Sequence, residues 1–414
     1  VSTDADACFY THQDGTWDAV ATDNCGSGAG LAVTYELTGA TTGTGSTLNG
    51  VVFNLGTTTV TWSATDEEGN VITCSFDVLV EDTEDPSFIA CGAVSNQSVS
   101  NDAGSCTYVH KGTAWDVTAT DNCTVSTIEY VLTGATSGSG ISLDGVSFDL
   151  GTTTVTWTVT DAAGNTEECS FTVTVNDTEL PLIDCLLTNP TVEADAGECT
   201  FTQTTDAWDP SIFDNCSVAS VTYELSGATT ATGSTTLVGV EFGIGTTTVT
   251  WTVVDGSGNE ASCSYDVIVT DTQAPVIAGC VATNPEVVVD AAACTFTQTT
   301  NAWDVTATDN CTVSTVEYEL TGATTGSGTT LVGVDFNLGT TTVTWTVTDG
   351  AGNETICTFD VIVTDTQFPA IADCQITNPS VVADAGVCTF EANTDWDITV
   401  TDNCSITSVT YELT

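Results

Sequence analysis

The sequence repeats itself about every 94 residues, and this period constrains the fold more than any other feature. The block Thr306–Tyr318 (TATDNCTVSTVEY) nearly duplicates Thr118–Tyr130 (TATDNCTVSTIEY), and it returns around Cys25, Cys216 and Cys404. A period of this length is that of a domain and not of a solenoid turn. The sequence therefore predicts a tandem array of similar domains. Such arrays build long, repetitive proteins and are rarely catalysts.

Alignment of the copies predicts five segments, named below the first to fifth repeats. They are residues 1–82, which lack the first strand, the complete repeats 83–177, 178–271 and 272–365, and 366–414, the first half of a further copy. Val1 aligns with Val381, and Thr414 aligns with Thr321. We expect the sequence to be a window cut from a longer array. The alternative is that neighbouring subunits complete the partial repeats.

The charge excludes two classes of partner. The chain carries 56 acidic residues against one basic residue, Lys111, for a formal charge of −55. Nucleic acids and anionic membrane surfaces both require positive patches, so neither is an expected partner. No run of residues approaches the ~18 apolar residues of a membrane span, so this segment is not expected to insert. The 41% apolar content in short alternating runs still indicates a folded chain.

Four cysteine stations recur in each repeat. The 18 cysteines occupy them as Cys8, Cys25 and Cys74, then Cys91, Cys106, Cys123 and Cys169, then Cys185, Cys199, Cys216 and Cys263, then Cys280, Cys294, Cys311 and Cys357, then Cys374, Cys388 and Cys404. Regular stations predict a disulfide framework and therefore an extracellular or cell-surface protein. Zinc binding is the weaker alternative, because the spacings contain no CxxC pair.

The strand pattern predicts an all-β fold. In Gly339–Asp349, Val343, Trp345 and Val347 alternate with threonines, which is typical of a half-buried strand. Gly350–Asn353 supplies turn residues, and the return strand places Cys357 and Phe359 on one face. About seven such strands per repeat, with no helical periodicity, predict tandem immunoglobulin-like β-sandwich domains in a linear array.

The same alternation bears on disulfide pairing, although four cysteines allow three connectivities. Cys357 and Cys294 each share side-chain parity with a phenylalanine, so the fourth and second stations are both expected to point inward. We favour second-to-fourth and therefore first-to-third pairing. The predicted pairs are Cys8–Cys74, Cys91–Cys123, Cys106–Cys169, Cys185–Cys216, Cys199–Cys263, Cys280–Cys311, Cys294–Cys357 and Cys374–Cys404.

Two tryptophan stations recur, one before an aspartate (such as Trp303) and one in the alternating strand (such as Trp345). A core role is favoured over a sugar-stacking platform, because inward valines flank the second station. The two histidines, His12 and His110, are expected at a surface strand position. No nucleophile elbow, phosphate loop or dinucleotide motif is present, so the sequence predicts that the protein is not an enzyme.

Three acidic motifs recur: Asp-Thr-Glu/Gln-x-Pro where repeats join, Asp-Asn-Cys in a loop, and Asp-x-x-Gly-Asn in the late hairpin. In a seven-strand sandwich, all three arrive at the pole where the chain enters the repeat. The candidate metal ligands are Asp82, Glu84, Asp121, Asn122, Asp161, Asn165, Asp177, Glu179, Asp214, Asn215, Asp255, Asn259, Asp271, Asp309, Asn310, Asp349, Asn353, Asp365, Asp402 and Asn403. Converging carboxylates favour Ca²⁺, a hard cation that takes six to eight oxygen ligands. The alternative is that these Asp and Asn residues only stabilise turns through local hydrogen bonds (turn chemistry) and bind no metal.

The combined motifs resemble the hyalin repeat (HYR) family over the whole chain. The matching residues are Pro275 and Cys280, Cys294, Ala307–Cys311, Gly339–Asp349, and Gly352–Asn353 with Cys357 and Asp365. Trp208–Cys216 departs from the pattern before Asp214, and Glu67–Glu68 replace small residues in the first hairpin. The resemblance implies an immunoglobulin-like module of adhesive and scaffolding surface proteins. Calcium binding is inferred from the acidic motifs and not from the resemblance.

The sequence thus favours a structural extracellular protein, a rod or filament of tandem repeats with calcium-stiffened junctions. Its expected partners are further copies of itself or the continuing array. Two alternatives remain open: an adhesin stalk that presents a distal binding domain, and a carbohydrate-binding repeat array with a glycan or surface ligand.

Overall fold

The computed structural model describes residues 1–24, 31–89, 94–185, 188–372, 380–392 and 397–412. Every regular element in these ranges is a β-strand. The first repeat contains β1 Phe9–Thr11, β2 Ala32–Gly39, β3 Gly43–Gly45, β4 Val52–Asn54, β5 Gly56–Thr65 and β6 Val71–Val80. The second contains β7 Ser87–Phe88, β8 Gln97–Ser100, β9 Thr107–Val109, β10 Ala119–Thr120, β11 Val125–Gly134, β12 Gly138–Gly140, β13 Ser147–Asp149, β14 Gly151–Asp161 and β15 Thr166–Asn176.

The remaining repeats follow the same order. The third contains β16 Leu182–Asp184, β17 Thr191–Glu193, β18 Thr200–Thr202, β19 Ser211–Phe213, β20 Val218–Gly227, β21 Ala231–Ser234, β22 Glu241–Gly243, β23 Gly245–Asp255 and β24 Glu260–Thr270. The fourth contains β25 Val276–Ala278, β26 Glu286–Val288, β27 Thr295–Thr297, β28 Thr306–Thr308, β29 Val313–Gly322, β30 Gly326–Gly328, β31 Asp335–Asn337, β32 Gly339–Asp349 and β33 Glu354–Thr364, and the fifth contains β34 Ala370–Ile371 and β35 Val400–Thr401. No helix in the described ranges is long and apolar enough to cross a membrane.

The described residues form two compact units. One comprises Val1–Ile183 with Ile212–Ser220 and Val253–Ala261, and the other comprises Asp184–Ser211, Val221–Thr252 and Ser262–Thr414. The first unit contains the first and second repeats with three segments of the third. The second unit contains the rest of the third repeat with the fourth and fifth.

The second repeat shows how a complete copy is built. Five strands form one sheet in the order β12-β11-β14-β15-β8, in which β8 runs parallel to β15. The strand pairs β7–β10 and β9–β13 form two small antiparallel sheets, and the buried side chains of all three pack as one core. The fourth repeat has the same arrangement, with β26-β33-β32-β29-β30 as its large sheet. This architecture confirms the all-β, tandem sandwich prediction.

The alternating strand has the predicted faces. In β32, Val343, Trp345 and Val347 are fully buried, while the threonines between them lie on the half-buried outer face. One threonine of the motif points inward instead. Thr153 in β14 is fully buried, and its hydroxyl accepts a hydrogen bond from Thr136 N at 3.0 Å. That bond satisfies a polar group that would otherwise cost free energy in the core.

The tryptophans are core residues. Trp62, Trp157, Trp251 and Trp345 are at most 3% exposed. At the other station, Trp115 is 8% exposed and packs edge-on against Phe148 with ring centroids 5.9 Å apart. Trp17, Trp208 and Trp303 are half-buried, and Trp396 lies outside the described residues. The described tryptophans therefore contribute to folding and offer little surface for sugar stacking.

The prediction of surface histidines is wrong. His110 is 4% exposed and stacks on Trp115 with ring centroids 3.8 Å apart, and His12 stacks on Trp17 in the same way at 3.9 Å. Burial lowers the pKa of His110 below 6.5, because nearby Asp116 and Asp144 only partly offset the desolvation of the charged ring. The position is an inward one that Gln203 and Gln298 fill in other repeats, both also buried.

Two kinds of disulfide connect the stations. Within a repeat, the first station bonds the fourth, as in Cys185–Cys263 and Cys280–Cys357. Between repeats, the second station bonds the third station of the following copy. These bonds are Cys8–Cys123, Cys106–Cys216, Cys199–Cys311 and Cys294–Cys404. Cys169 is also disulfide-bonded, while Cys74 and Cys388 are free and exposed in the described structure.

The predicted pairing is therefore wrong. Cys8–Cys74, Cys106–Cys169, Cys185–Cys216, Cys199–Cys263, Cys280–Cys311 and Cys294–Cys357 do not form, and the other two pairs, Cys91–Cys123 and Cys374–Cys404, are excluded because Cys123 and Cys404 have different partners. Cys91 and Cys374 themselves, like Cys25, lie outside the described residues.

The physical reason is that the second-station and fourth-station cysteines of one repeat lie at different positions along the strand direction. Cys357 and Cys169 do point inward, at 5% exposure each. Cys169, however, lies opposite Trp157 near the start of β15, whereas Asn101 N, in the segment that leads to Cys106, bonds to the carbonyl of Asn176 at the far end. The two levels are roughly 20 Å apart along the strand at ~3.3 Å per residue. A disulfide requires Cα atoms about 4.4–6.8 Å apart, so shared parity is not sufficient.

Candidate functional site: the junctions between repeats

The three acidic motifs come together where one repeat meets the next. At the first junction, Asn122 Nδ2 donates to Asp82 Oδ1 at 3.2 Å. From the hairpin, Asn165 Nδ2 donates to the carbonyls of Asp82 at 3.3 Å and Glu84 at 3.1 Å. Asn259 with Asp177, and Asn353 with Asp271, repeat the hairpin contact at 3.2 Å. The same local sequence thus places the hairpin asparagine against the junction aspartate at three successive junctions.

Carboxylates approach closely at four junctions. Candidate ligand atoms lie within 4.8 Å of one another in Asp82 with Asp121, in Asp177 with Asp214 and Asp255, in Asp271 with Asp309, and in Asp365 with Asp402. We call these pairs and the triad, together with the asparagine of each Asp-Asn-Cys motif, the junction clusters. The neighbouring Cys123, Cys311 and Cys404 are disulfide-bonded and so provide no thiolate ligand.

The loop carboxylates of the second, third and fourth repeats each have one occupied oxygen and one open oxygen. Asp121 Oδ2 accepts hydrogen bonds from Cys123 N at 2.8 Å and Thr124 N at 2.9 Å, which fixes the side chain in its turn. Asp121 Oδ1 is buried and has no hydrogen-bond partner among the described residues. Asp214 and Asp309 have the same division between their two oxygens. The turn therefore orients the carboxylate and leaves one oxygen available.

At the first three junctions, the aspartates of the Asp-Thr-Glu/Gln-x-Pro motif also have one open oxygen each, and they are more deeply buried than the loop aspartates. Asp82, Asp177 and Asp271 are each 6% exposed, and the Oδ2 atom of each lacks a partner among the described residues. At the first and third junctions, the Oδ1 atoms of Asn122 and Asn310 are open as well. An open buried carboxylate oxygen costs several kcal/mol unless a cation or a donor reaches it. These junctions therefore present two carboxylate oxygens and one amide oxygen for a positive ligand.

The hairpin carboxylates differ. Both oxygens of Asp349 are engaged: Oδ1 accepts from Ala351 N, Gly352 N and Asn353 N at 2.6–2.8 Å, and Oδ2 accepts from Asn353 Nδ2 at 2.7 Å. Burial raises the pKa of Asp349, but these hydrogen bonds outweigh it, so that the pKa lies below 3.8. Asp161 and Asp255 are held in the same way, with the same lowered pKa. Turn chemistry accounts for these three residues, although Asp255 also lies beside Asp177 and Asp214.

The junction glutamates bind the backbone of the preceding repeat. Glu84 accepts from Asp6 N at 3.2 Å, and Glu179 accepts from Gly104 N at 2.9 Å. Gln273 takes the equivalent position with Gly197 N at 2.9 Å. An amide thus serves as well as a carboxylate here, which indicates a capping role for this position. The structure places neither glutamate in a junction cluster.

In the second to fifth repeats, the amide of the Asp-Asn-Cys motif has partners that the sequence did not reveal. Its Nδ2 donates to the backbone carbonyl just before the second-station cysteine of the preceding repeat. The pairs are Asn122 with Ala7, Asn215 with Ser105, Asn310 with Glu198, and Asn403 with Ala293, at 2.8–3.2 Å. Each of these hydrogen bonds lies beside an inter-repeat disulfide. The only available signal was the constant position of asparagine before the third cysteine.

The donor set suits a hard divalent cation. All open atoms of the clusters are carboxylate or amide oxygens, which are ligands that Ca²⁺ takes in flexible geometry. Two carboxylates would balance its charge, and water and backbone carbonyls can fill further positions. No imidazole or free thiolate belongs to any of the groups found in the described ranges, which disfavours zinc there.

Comparison with known proteins identifies the repeats. A family model described as HYR domain matches residues 81–175 and 176–269. The matched segments begin two residues before the boundaries 83 and 178, which stay predictions. Hyalin of Strongylocentrotus purpuratus is 30% identical over 346 residues, which is 78% of this chain and 25% of that protein. Hyalin of Lytechinus variegatus is 29% identical over 338 residues, 76% of this chain and 54% of that protein.

The chain thus spans a quarter and about half of the length of the two hyalins it matches. Among solved structures, a protocadherin gammaB7 EC3-6 structure aligns with 81% of this chain and 92% of its own at 16% identity, with a TM-score of 0.30. A TM-score this low carries no argument about function. The disulfides indicate an oxidising compartment, so the protein is extracellular or at the cell surface. Two consecutive repeats of this extracellular chain are members of the HYR domain family.

Proposed function

We propose that this protein is a structural, non-catalytic extracellular component, a rod or filament of tandem disulfide-bonded repeats whose junctions bind Ca²⁺. The proposed ligands are the open oxygens of the junction clusters. The proposed partners are further copies of the chain or the continuing array. Such a protein would provide reach and stiffness outside the cell.

One observation carries the proposal: buried, unpartnered carboxylate oxygens recur at the same station of successive junctions. At the first junction, Asp82 Oδ2 and Asp121 Oδ1 are both open within a group whose atoms lie within 4.8 Å. Two carboxylates about 5 Å apart repel by about 3 kcal/mol at an effective dielectric constant of 20. Turn chemistry explains the occupied oxygen of Asp121 but not the open one. A bound cation would account for the open oxygens of both Asp82 and Asp121.

Calcium would stiffen a junction because its ligands come from different segments. Asp82 follows the last strand of the first repeat, and Asp121 lies in a loop of the second repeat. A cation held by both adds a link that must break before the repeats can reorient. Affinities of about 10⁻⁴–10⁻³ M are typical of extracellular calcium modules. A site with such a Kd is half filled when calcium equals the Kd and about 90% filled at ten times that concentration.

The test is a calcium titration by calorimetry, combined with thermal melting and small-angle scattering in calcium and in EDTA. We expect calcium to raise the melting temperature, since a ligand at 100 times its Kd stabilises by about 2.7 kcal/mol per site. Asp121→Asn should remove one site from the titration. Asp149→Asn is the matched control, because it removes the same charge from an exposed position in the same repeat. If chelation leaves both melting temperature and particle length unchanged, or if Asp149→Asn loses the same site, calcium binding is wrong.

A further inference from the structure

We infer that the inter-repeat disulfides form a continuous covalent spine that carries tension along the protein while most of each repeat lies off the load path. The spine consists of Cys8, the segments Cys106–Cys123, Cys199–Cys216 and Cys294–Cys311, and Cys404, linked end to end by four disulfides. This inference deepens the proposed structural function, on which it rests. Its test does not involve calcium.

Connectivity alone defines the spine. Cys8 is disulfide-bonded to Cys123. From Cys123 the route follows the chain towards the N-terminus as far as Cys106, which is disulfide-bonded to Cys216. The route then runs backwards to Cys199, across to Cys311, backwards to Cys294 and across to Cys404. Each disulfide spans 110–115 residues of sequence with Cα atoms only 4.6–4.8 Å apart. The load path therefore uses only short segments of the chain.

Two covalent routes from Cys123 to Cys199 can be compared among the described residues. The direct one follows the chain through β11, β14 and β15 for about 76 residues, or about 270 Å when fully extended at ~3.5 Å per residue. The other passes through the Cys106–Cys216 bond and contains about 34 residues, or about 120 Å. The shorter route becomes taut first. The longer one, which contains the strands of the large sheet, stays slack even if that repeat unfolds.

The noncovalent contacts agree with this role. Beside each spine disulfide, the asparagine preceding the third-station cysteine donates to the carbonyl preceding the second-station cysteine, as in Asn215 with Ser105 at 3.0 Å. Within the spine segment of the second repeat, Trp115 and Val117 are 8% and 6% exposed and anchor the segment to the core. The segment that would bear load is thus fixed both at its crosslinks and between them.

The spine predicts a protein that is nearly inextensible when oxidised. From Cys8 to Cys404 the oxidised route contains about 51 residues and four bridges, or about 200 Å at full extension. The reduced route contains about 396 residues, or about 1,390 Å. Reduction should therefore lengthen the fully stretched Cys8–Cys404 span about sevenfold. The intra-repeat bonds Cys185–Cys263 and Cys280–Cys357 lie off the route and do not affect this limit.

The experiment is single-molecule stretching of the full chain in EDTA, with handles attached to the two ends through enzymatic peptide tags. The oxidised wild type should stop extending about 1,200 Å short of the chain treated with a phosphine reductant. A Cys106→Ser/Cys216→Ser variant removes the shorter route and should lengthen the oxidised limit by at most about 150 Å, less whatever the Cys169 disulfide spares. The matched control, Cys185→Ser/Cys263→Ser, also removes one native disulfide but should add nothing.

These limits follow from covalent connectivity, so they hold even if a variant folds less stably, and non-reducing peptide mapping checks the pairing in each sample. Oxidised wild type that reaches the reduced length would overturn the inference. So would a Cys106→Ser/Cys216→Ser variant that keeps the wild-type limit, or a control that lengthens as much. Because calcium is chelated throughout, failure of the calcium proposal leaves this result unchanged, and the reverse also holds.

Discussion

The interior of the fourth repeat and the junction before it contain opposite kinds of buried atom. In the fourth repeat, Val343, Trp345 and Phe336 are fully buried and pack as a dry apolar core. At the junction before it, the open buried atoms include the carboxylate oxygens Asp271 Oδ2 and Asp309 Oδ1. The buried indole nitrogen of Trp345 donates to the carbonyl of Trp303, whereas these junction oxygens have no partner among the described residues. The difference fits a repeat that folds on its own side chains and is connected to the next one by disulfides and, on our proposal, by a bound cation.

The largest effect is expected inside a repeat. Trp345→Ala would leave a cavity where a fully buried side chain meets Tyr318 edge-on, with ring centroids 5.3 Å apart. Such truncations typically cost about 3–5 kcal/mol. Chemical denaturation, with and without calcium, should show the same loss in both conditions. A loss that calcium restores would contradict the separation between core and junction.

A second pair of variants compares two aspartates of the fourth repeat in EDTA. Asp349→Asn should destabilise by about 1–3 kcal/mol, because it weakens charge-assisted hydrogen bonds to three backbone amides. Asp309→Asn should be neutral or stabilising, because it removes a buried charge with an open oxygen. Thermal melting of the two variants measures the difference. Equal losses in EDTA would mean that the open oxygen of Asp309 has no energetic consequence.

The lowered pKa of Asp349 adds a pH test to that comparison. A carboxyl whose pKa is lower in the folded state contributes stability that is present above its ordinary value of 3.8 and is lost as pH falls through the folded pKa. The stability difference between wild type and Asp349→Asn should therefore shrink as the pH falls below 3.8. A difference that is unchanged down to the folded pKa would exclude this linkage.

The smallest effect is expected at His110. Its pKa is lowered by burial from 6.5, so the unfolded chain takes up the proton first. Stability should fall as pH drops below 6.5 and level off below the folded pKa. His110→Gln, which copies buried Gln298 of the fourth repeat, should remove that slope. Denaturation midpoints between pH 7.5 and pH 5 measure it, and a slope that persists in the variant would assign the effect to another group.

Much of a single repeat could be predicted from alternation. The strand Gly339–Asp349 and its return strand follow from the spacing of Val343, Trp345 and Phe359, because side chains of a strand point to opposite faces in turn. The burial of His110 could also be predicted, since Tyr108 and Cys106 lie at alternate positions before it and therefore point to the same face. A polar ring is expected at the surface when its neighbours are unknown, and Trp115, on which His110 stacks, becomes its neighbour only in the folded repeat.

The junctions could be predicted only in part. Asp82 and Asp121 were identified as candidate ligands because both lie in recurring acidic motifs. Which of their oxygens stay open depends on the backbone amides that each turn presents, and single-sequence patterns do not specify this. Glu84 and Asp161 belong to the same motifs, yet one caps the preceding repeat and the other closes its own hairpin.

The sequence by itself determined the repeat, the faces of the strands, the oxidising compartment and the acidic character of the junctions, since all of these depend on residue type and local spacing. Only the tertiary structure decided which cysteines pair. Cys294 and Cys357 share an inward face but lie at different heights, while Cys294 meets Cys404 of the next repeat. Pairing depends on distance in space, and the relation between successive repeats is not encoded in the pattern within one of them.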